Sequence, residues 1–183
     1  MGMRLHLQAA AKAGVRRAVR RLGYDLVPFQ DSFRDLQRRL LGANVTAVLD
    51  VGANIGQYVD LLRALGYQGR VTSFEPSHEA FEVLNRRANK DALWEARHVA
   101  LGDSRGTGVL NVSANSVSSS LLEIGDEHTI AAPTSRTVCQ ESVEIDLLDR
   151  QSESIPHDGG SFWLKLDVQG YELNVLRLSL IHI

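Results

Sequence analysis

The stretch Asp50-Val51-Gly52-Ala53-Asn54-Ile55-Gly56 constrains this chain more than any other. It follows the apolar run Ala47-Val48-Leu49 and precedes a helix-like segment, Gln57 to Leu65. Strand, glycine turn, helix is how an α/β sheet builds a nucleotide-sized pocket at a strand's carboxyl end. Gly52 and Gly56 stand four apart, so the turn does not spell the G-x-G-x-x-G of a dinucleotide site. The strand tip also carries an acid, Asp50, which would repel a pyrophosphate. An acid there suits a ligand whose nearby part is cationic or rich in hydroxyls. Gly52 lets the backbone approach such a ligand closely, since no Cβ intervenes. Helix-end amides from Asn54 to Gln57 would face the ligand and favour its carboxylate.

The rest of the chain repeats this alternation. Thr46–Val51 reads as strand one, and Gln57–Leu65 as a helix closed by Gly66. Arg70–Phe74 reads as strand two, ended by Glu75-Pro76. His78–Lys90 is a helix with Phe81, Leu84 and Ala88 on one side, and Glu95–Ala100 is strand three. Strands alternating with helices of this length predict an α/β fold with a doubly wound, Rossmann-like, mostly parallel sheet. The rhythm breaks after Gly102. Gly106–Val112 and Arg136–Ile145 read as strands around an inserted polar loop, and long loops are often binding elements. Ser161–Val168 is a further strand, and Tyr171–Arg177 starts a helix.

Three segments follow from this reading: a helical part over 1–44, the α/β domain over 45–177, and a tail over 178–183. In the first, residues 4–22 form a helix with Leu7, Ala11, Val15 and Leu22 near one face and Arg16, Arg17, Arg20 and Arg21 towards the other. An ordinary solvated face accounts for those arginines, since the apolar side is mostly alanine and valine. The alternative is weak contact with an anionic membrane surface. Residues 31–41 form a second helix, with Asp31 or Ser32 as N-cap. The tail, Leu178-Ser179-Leu180-Ile181-His182-Ile183, follows a helix of only about two turns. It back-translates as CTG TCT CTT ATA CAC ATC, the transposase end sequence used in sequencing-library adapters. The expectation is adapter read-through, excluded from fold reasoning, and the alternative is a genuine apolar terminus.

Charge limits the partners. Net charge is -2, but residues 1–45 carry nine Lys/Arg against three Asp, a local +6 that leaves -8 for the remainder. With that net charge the whole chain shows no nucleic-acid footprint. With 44% apolar residues it can bury a core. The one cysteine, Cys139, permits no intrachain disulfide, and no apolar run approaches the ~20 residues of a membrane span. Leu5 to Val19 is broken by Lys12, Arg16 and Arg17, unlike a signal peptide. These features predict a cytoplasmic protein.

The remaining chemistry lies at strand ends. Glu75 stands 25 residues after Asp50, where an acid in a nucleotide-binding βαβ unit accepts hydrogen bonds from both ribose hydroxyls. S-adenosylmethionine offers an ammonium, a sulfonium and a ribose to the two acids. Asp103, ending Ala100-Leu101-Gly102-Asp103, either meets the adenine amino group or makes a simple Gly-Asp turn. In Lys165-Leu166-Asp167-Val168-Gln169-Gly170-Tyr171-Glu172, alternation puts Lys165 and Asp167 on one face at a strand tip, and Glu172 opens the next helix. Charges on an apolar strand are costly unless they pair or serve a ligand. Ion pairs of Lys165 with Asp167 or Glu172 are the plain account. The functional account is catalysis. His128 and His157 lie in loops near the expected pocket, where surface histidines suffice to explain them.

Together these blocks resemble the FkbM-type family of S-adenosylmethionine-dependent methyltransferases. The likeness rests on Asp50 to Tyr58, on Phe74-Glu75-Pro76, on Ala100 to Asp103 and on Lys165 to Glu172, with weaker blocks at Ser118-Ser119-Ser120-Leu121 and Ile145-Asp146-Leu147-Leu148-Asp149. It covers about residues 45–177. It implies methyl transfer to a hydroxyl of a sugar, glycolipid or polyketide-type metabolite. The donor would bind at Asp50, Gly52, Asn54, Gly56, Glu75 and Asp103. Asp167 would be the base or the ammonium partner, assisted by Lys165 and Glu172. No His/Asp/Glu spacing demands a metal, and Mg²⁺ stays open as an aid to deprotonation. A full domain of this kind has seven strands, so the expectation is a fragment that lacks the C-terminal strands. Two alternatives stand beside this one. A nicotinamide oxidoreductase would need a third turn glycine and a pair such as Tyr-x-x-x-Lys, neither in a fitting place. A non-catalytic module that binds S-adenosylmethionine, or an inactive truncated product, is the other.

Overall fold

β1 (Val45–Val51) is buried along almost its whole length, and its two neighbours explain why. It pairs in parallel with β2 (Arg70–Phe74) on one side and β7 (Ser161–Leu166) on the other. A strand covered on both faces and both edges reads as a continuous apolar run, which Val45, Ala47, Val48, Leu49 and Val51 supply. β3 (Trp94–Arg97) pairs in parallel with β2 and completes a four-stranded sheet in the order β3-β2-β1-β7. The computed structural model describes residues 29–113, 119–122 and 137–176. The helix expected over 4–22 and the tail at 178–183 lie outside the described residues.

The chain divides into two compact units, residues 1–39 and 40–183. What is described of the first is helix α1 (Phe29–Gly42), which runs on to Gly42. Asp31 and Ser32 lie inside this helix, not at its N-cap. On its surface Arg38 pairs with Asp35 at 2.9 Å. Everything else belongs to the second unit. There α2 (Gln57–Ala64) connects β1 to β2, and α3 (His78–Ala88) connects β2 to β3. Each helix sets two or three apolar residues inward, Val59 and Leu62 from α2, Ala80, Leu84 and Ala88 from α3. That is the helical half of the alternating α/β pattern.

The expected third strand, Glu95–Ala100, is two strands in two sheets. β3 ends at Arg97, and β4 (Ala100–Gly102) joins a second sheet with β5 (Gly106–Ser113) and β6 (Thr137–Leu147), in the order β4-β6-β5. The switch falls at His98-Val99. Pro76 holds the carbonyl that meets His98 Nε2 at 2.9 Å, and the Arg97 guanidinium is drawn to Gln151. Val99 turns into the core between the sheets. β5 and β6, the two strands expected after Gly102, pair antiparallel, and β4 runs parallel to β6. Two short helices complete the unit. α4 (Leu148–Glu153) was not foreseen, whereas α5 (Glu172–Leu176) sits where the helix from Tyr171 was expected. The core between the sheets gathers Leu49, Val51, Phe74, Leu101 and Val175. Burying Phe74 completely contributes about 1.5–3 kcal/mol.

Candidate functional site

Register decides where a site can form. Val51 stands opposite Phe74 on one side and Leu166 on the other, so β1, β2 and β7 end at one level. Above these carboxyl ends lies a cavity of about 430 Å³, a size typical of small-molecule sites. The glycine turn and Tyr58 form one wall, Glu75 and Pro76 a second, and Lys165, Asp167 and Tyr171 a third. Leu110 from β5 and Ser119, Ser120 and Leu121 from the inserted loop close it from the second sheet. Ser120 is tied down there, donating from Oγ to the Gln169 carbonyl at 3.1 Å while its backbone pairs with Asn111.

The turn is built by its own hydrogen bonds. The Gly52 and Ala53 amides donate to the Phe74 carbonyl at 3.0 and 3.1 Å. Asn54 N–H donates to Glu75 Oε2 at 2.7 Å, Ile55 N–H to Asn54 Oδ1 at 2.7 Å, and Gly56 N–H to Ala53 O at 2.9 Å. Three of the amides expected to face a ligand's carboxylate thus donate inside the protein. Gly52 has φ +72° and Gly56 φ +89°, both in the region that favours glycine. A Cβ on Gly52 would fall 2.0 Å from the Asp167 carbonyl, and one on Gly56 2.6 Å from the Trp94 ring. The close approach that requires Gly52 is to the end of β7, a contact within the protein.

Asp50 lies beneath the floor of this cavity. Its side chain is 0% exposed, and Lys165 Nζ meets its Oδ1 at 3.0 Å as an ion pair short of good hydrogen-bond alignment. Ser73 Oγ donates to its other oxygen at 3.3 Å and receives Trp94 Nε1–H at 3.0 Å. Burial pushes the Asp50 carboxyl above its usual range, against the pull of Lys165. Lys165 itself is 21% exposed, lines the cavity, and donates to the Gly52 carbonyl at 3.0 Å. Its ammonium also stands 5.8 Å from the centre of the Tyr58 ring.

Glu75 is where the sequence placed it, on the cavity wall and only 7% exposed. Oε2 accepts from the Asn54 amide, and Oε1 accepts from the Ser77 amide at 2.9 Å. Burial raises its pKa to about 6, with those two amides pulling the other way. Asp167 also lines the cavity and is 54% exposed. Gln169 Nε2 donates to its Oδ1 at 2.7 Å, and Lys165 Nζ lies 3.7 Å from Oδ2.

The other sequence candidates lie elsewhere. Glu172 lies outside the lining, and one of its carboxylate oxygens accepts from the Val168 and Gly170 amides at 3.2 Å each. Burial raises its pKa, but the backbone amides outweigh that and the net shift is downward. Asp103 also lies outside the lining and accepts from Asn174 Nδ2 at 3.3 Å. His157 stacks near Phe162, at the start of β7 and so at the opposite end of the strand from the cavity. His128 is outside the described residues, and Cys139 is exposed. Among the described residues no group of three or more His, Cys, Asp or Glu side chains is placed to hold a metal ion.

Two lining residues were quoted in the sequence blocks without a role. Tyr58 accepts Trp163 Nε1–H on its hydroxyl at 3.0 Å, and burial raises its pKa. Tyr171 packs beside Gly102. Tyr58 sits just past the turn glycine, which is the local signal, but the partner that orients it is 105 residues away.

The arrangement is a nucleoside-sized cavity with a buried carboxylate on one wall and a Lys–Asp pair on another. A family model described as "Methyltransferase FkbM domain" matches residues 50–181, which takes in every residue of the cavity. A search of curated proteins finds no match.

Proposed function

The chain belongs to the FkbM methyltransferase family, and from that premise we propose that it methylates a hydroxyl oxygen of a sugar, glycolipid or polyketide-type metabolite with S-adenosylmethionine as donor. The observation that carries the donor assignment is Glu75. Its carboxylate is fixed by two backbone amides at the end of the second strand and lines the cavity. A carboxylate oxygen accepts more than one hydrogen bond, so each oxygen keeps acceptor capacity for a vicinal diol such as a ribose. The walls below and beside it suit a nucleoside, with the apolar side chains of Val99, Leu101 and Leu110 in reach of a base.

When bound, the donor supplies a methyl group on a sulfonium, which departs as a neutral thioether when an oxygen displaces it in line. The protein's part is to hold the two reactants in that line and to receive a proton. Asp167, on the cavity wall and half-exposed, is placed to take the proton that the acceptor hydroxyl loses. Lys165 and Gln169 hold its carboxylate from both sides. Asp50 acts from beneath by fixing Lys165, and the turn from Gly52 to Gly56 sets the wall against which the donor lies.

Isothermal titration of the full chain with S-adenosylhomocysteine and with NADH tests the donor. The expected result is binding of the thioether nucleoside and none of NADH; the reverse favours an oxidoreductase. Incubation with S-adenosylmethionine and a panel of sugars and glycolipids should add one CH₂ in mass to an acceptor. Donor binding without transfer to any hydroxyl would support a non-catalytic module instead.

A further inference from the structure

We infer that Gln169 is a positioning residue for methyl transfer: its side-chain amide holds one oxygen of Asp167 and leaves the other to take the acceptor's proton. Ser120 of the inserted loop and Glu172 of α5 keep Gln169 in place. The inference rests on the reading of Asp167 as the base and extends it to the groups behind that base.

Gln169 occupies a backbone position better suited to glycine or asparagine. Its φ is +53°, in the left-handed region, and Gly170 follows at φ +98°. A long side chain is uncommon there and costs free energy, so the position persists only where its surroundings hold it. Those surroundings grip one peptide unit at both ends. The Gln169 carbonyl accepts from Ser120 Oγ at 3.1 Å, and the Gly170 N–H bonded to that carbonyl carbon donates to Glu172 Oε1 at 3.2 Å. The same Glu172 oxygen accepts from the Val168 amide at 3.2 Å. Ser120 is only 4% exposed, and its backbone pairs in both directions with Asn111 of β5. A hydroxyl anchored on the second sheet thus fixes the turn that follows β7.

What the strained backbone gains is the aim of the side chain. Gln169 Nε2 donates to Asp167 Oδ1 at 2.7 Å, a length typical of a bond to a charged acceptor. Asp167 is half-exposed, and without a tether its carboxylate would exchange among rotamers. Oδ2 lies 3.7 Å from Lys165 Nζ, beyond hydrogen-bond distance, and stays open towards a hydroxyl. In transfer the acceptor's O–H bond breaks and its proton passes to Oδ2. The freed pair forms the O–CH₃ bond while the S–CH₃ pair stays on sulfur. A base must meet its proton within hydrogen-bond reach, so fixing the open oxygen acts on the rate and not on donor binding. Gln169 and Asp167 are both solvent-exposed, so their bond adds little to stability.

Gln169→Asn in the full chain tests this, because asparagine tolerates the left-handed conformation but its side chain is one methylene shorter. The readouts are the thermal melt, calorimetry with S-adenosylhomocysteine, and the rate of transfer to the acceptor that the sugar and glycolipid panel yields. The variant should melt no lower than wild type and bind S-adenosylhomocysteine as tightly. At saturating acceptor it should transfer about 10–100-fold more slowly. Gln169→Gly should behave alike. Ser120→Ala should also slow transfer, and Gln169→Asn/Ser120→Ala should be no slower than Gln169→Asn alone, since one residue acts through the other. Normal transfer by Gln169→Asn, a loss of donor affinity that matches the loss of rate, or additive losses in the double variant would overturn the inference. Asp167→Asn separates it from the reading beneath. Slow transfer by Asp167→Asn with normal transfer by Gln169→Asn overturns the inference alone. Undiminished transfer by Asp167→Asn, or none by the wild-type chain, overturns both.

Discussion

Glu75 should make donor binding depend on pH between about 5 and 7. Its folded pKa is raised from 4.5 to about 6, chiefly by burial. That rise is about 2 kcal/mol of preference for the protonated acid in the fold. The contribution to stability is complete below pH 4.5, and it is lost as pH rises through about 6. Above that pH the cavity holds an ionised carboxylate, the form that accepts from two ribose hydroxyls. S-adenosylhomocysteine should therefore bind with constant affinity near pH 7 and weaken about 10-fold by pH 5, one unit below the folded pKa. Glu75→Gln should flatten this slope and bind about 1–3 kcal/mol more weakly at pH 7, having lost acceptors to charged-group hydrogen bonds. In the free protein its melting temperature should gain on wild type as pH rises through 6. Calorimetry at half-unit steps of pH reads the first effect, and thermal melts in the same buffers read the second. A wild-type affinity flat from pH 5 to 7, or a slope that survives in Glu75→Gln, would refute the reasoning.

Three further outcomes follow from the turn and its supports. Gly52→Ala puts a Cβ 2.0 Å from the Asp167 carbonyl at φ +72°, so it should destabilise the fold by about 2 kcal/mol or more; a change under about 0.5 kcal/mol in urea denaturation would contradict the close approach. Ser73→Ala removes a donor from Asp50 and leaves Trp94 Nε1–H without its acceptor. The expected cost is about 1–3 kcal/mol, read by the same denaturation, and a neutral result would count against the buried chain of hydrogen bonds. Glu172→Gln should lower stability at neutral pH, because the carboxylate caps the Val168 and Gly170 amides. Its folded pKa is lowered, so that contribution is present above the ordinary pKa of 4.5 and fades as pH falls through the folded value; a variant difference that grows on acidification would oppose this.

What the sequence disclosed was local. β1, β2 and β7, the glycine turn and Glu75 carry their signal within a few residues, as apolar runs ended by glycine or Pro76. The fates of Asp50 and Glu172 were not local. Asp50 depends on Ser73 and Lys165, brought beside it by the parallel pairing of β1 with β2 and β7. Glu172 looked like a site residue because it follows a charged strand tip. The tight turn at Gln169 and Gly170, both with positive φ, aims its carboxylate at backbone amides. The split of the third strand was hidden for a similar reason. Glu95 to Ala100 is one extended run in sequence, yet its second half joins another sheet, with Arg97 bonded to Gln151 and His98 to Pro76 at the switch, partners distant in the chain. The roles of Tyr58 and Tyr171 depend on segments far apart in the chain: Tyr58 is met by Trp163, Tyr171 packs beside Gly102, and Leu110 of β5 with the inserted loop closes the cavity over the strand ends. Among the described residues no helix is long and apolar enough to cross a membrane.

A crystal structure of the full chain with S-adenosylhomocysteine tests the central claim most directly. The account predicts both ribose hydroxyls within hydrogen-bond distance of the Glu75 carboxylate, with the nucleoside between the glycine turn and the inserted loop. A ligand seated away from the ends of β1 and β2, or a ribose turned from Glu75, would contradict it.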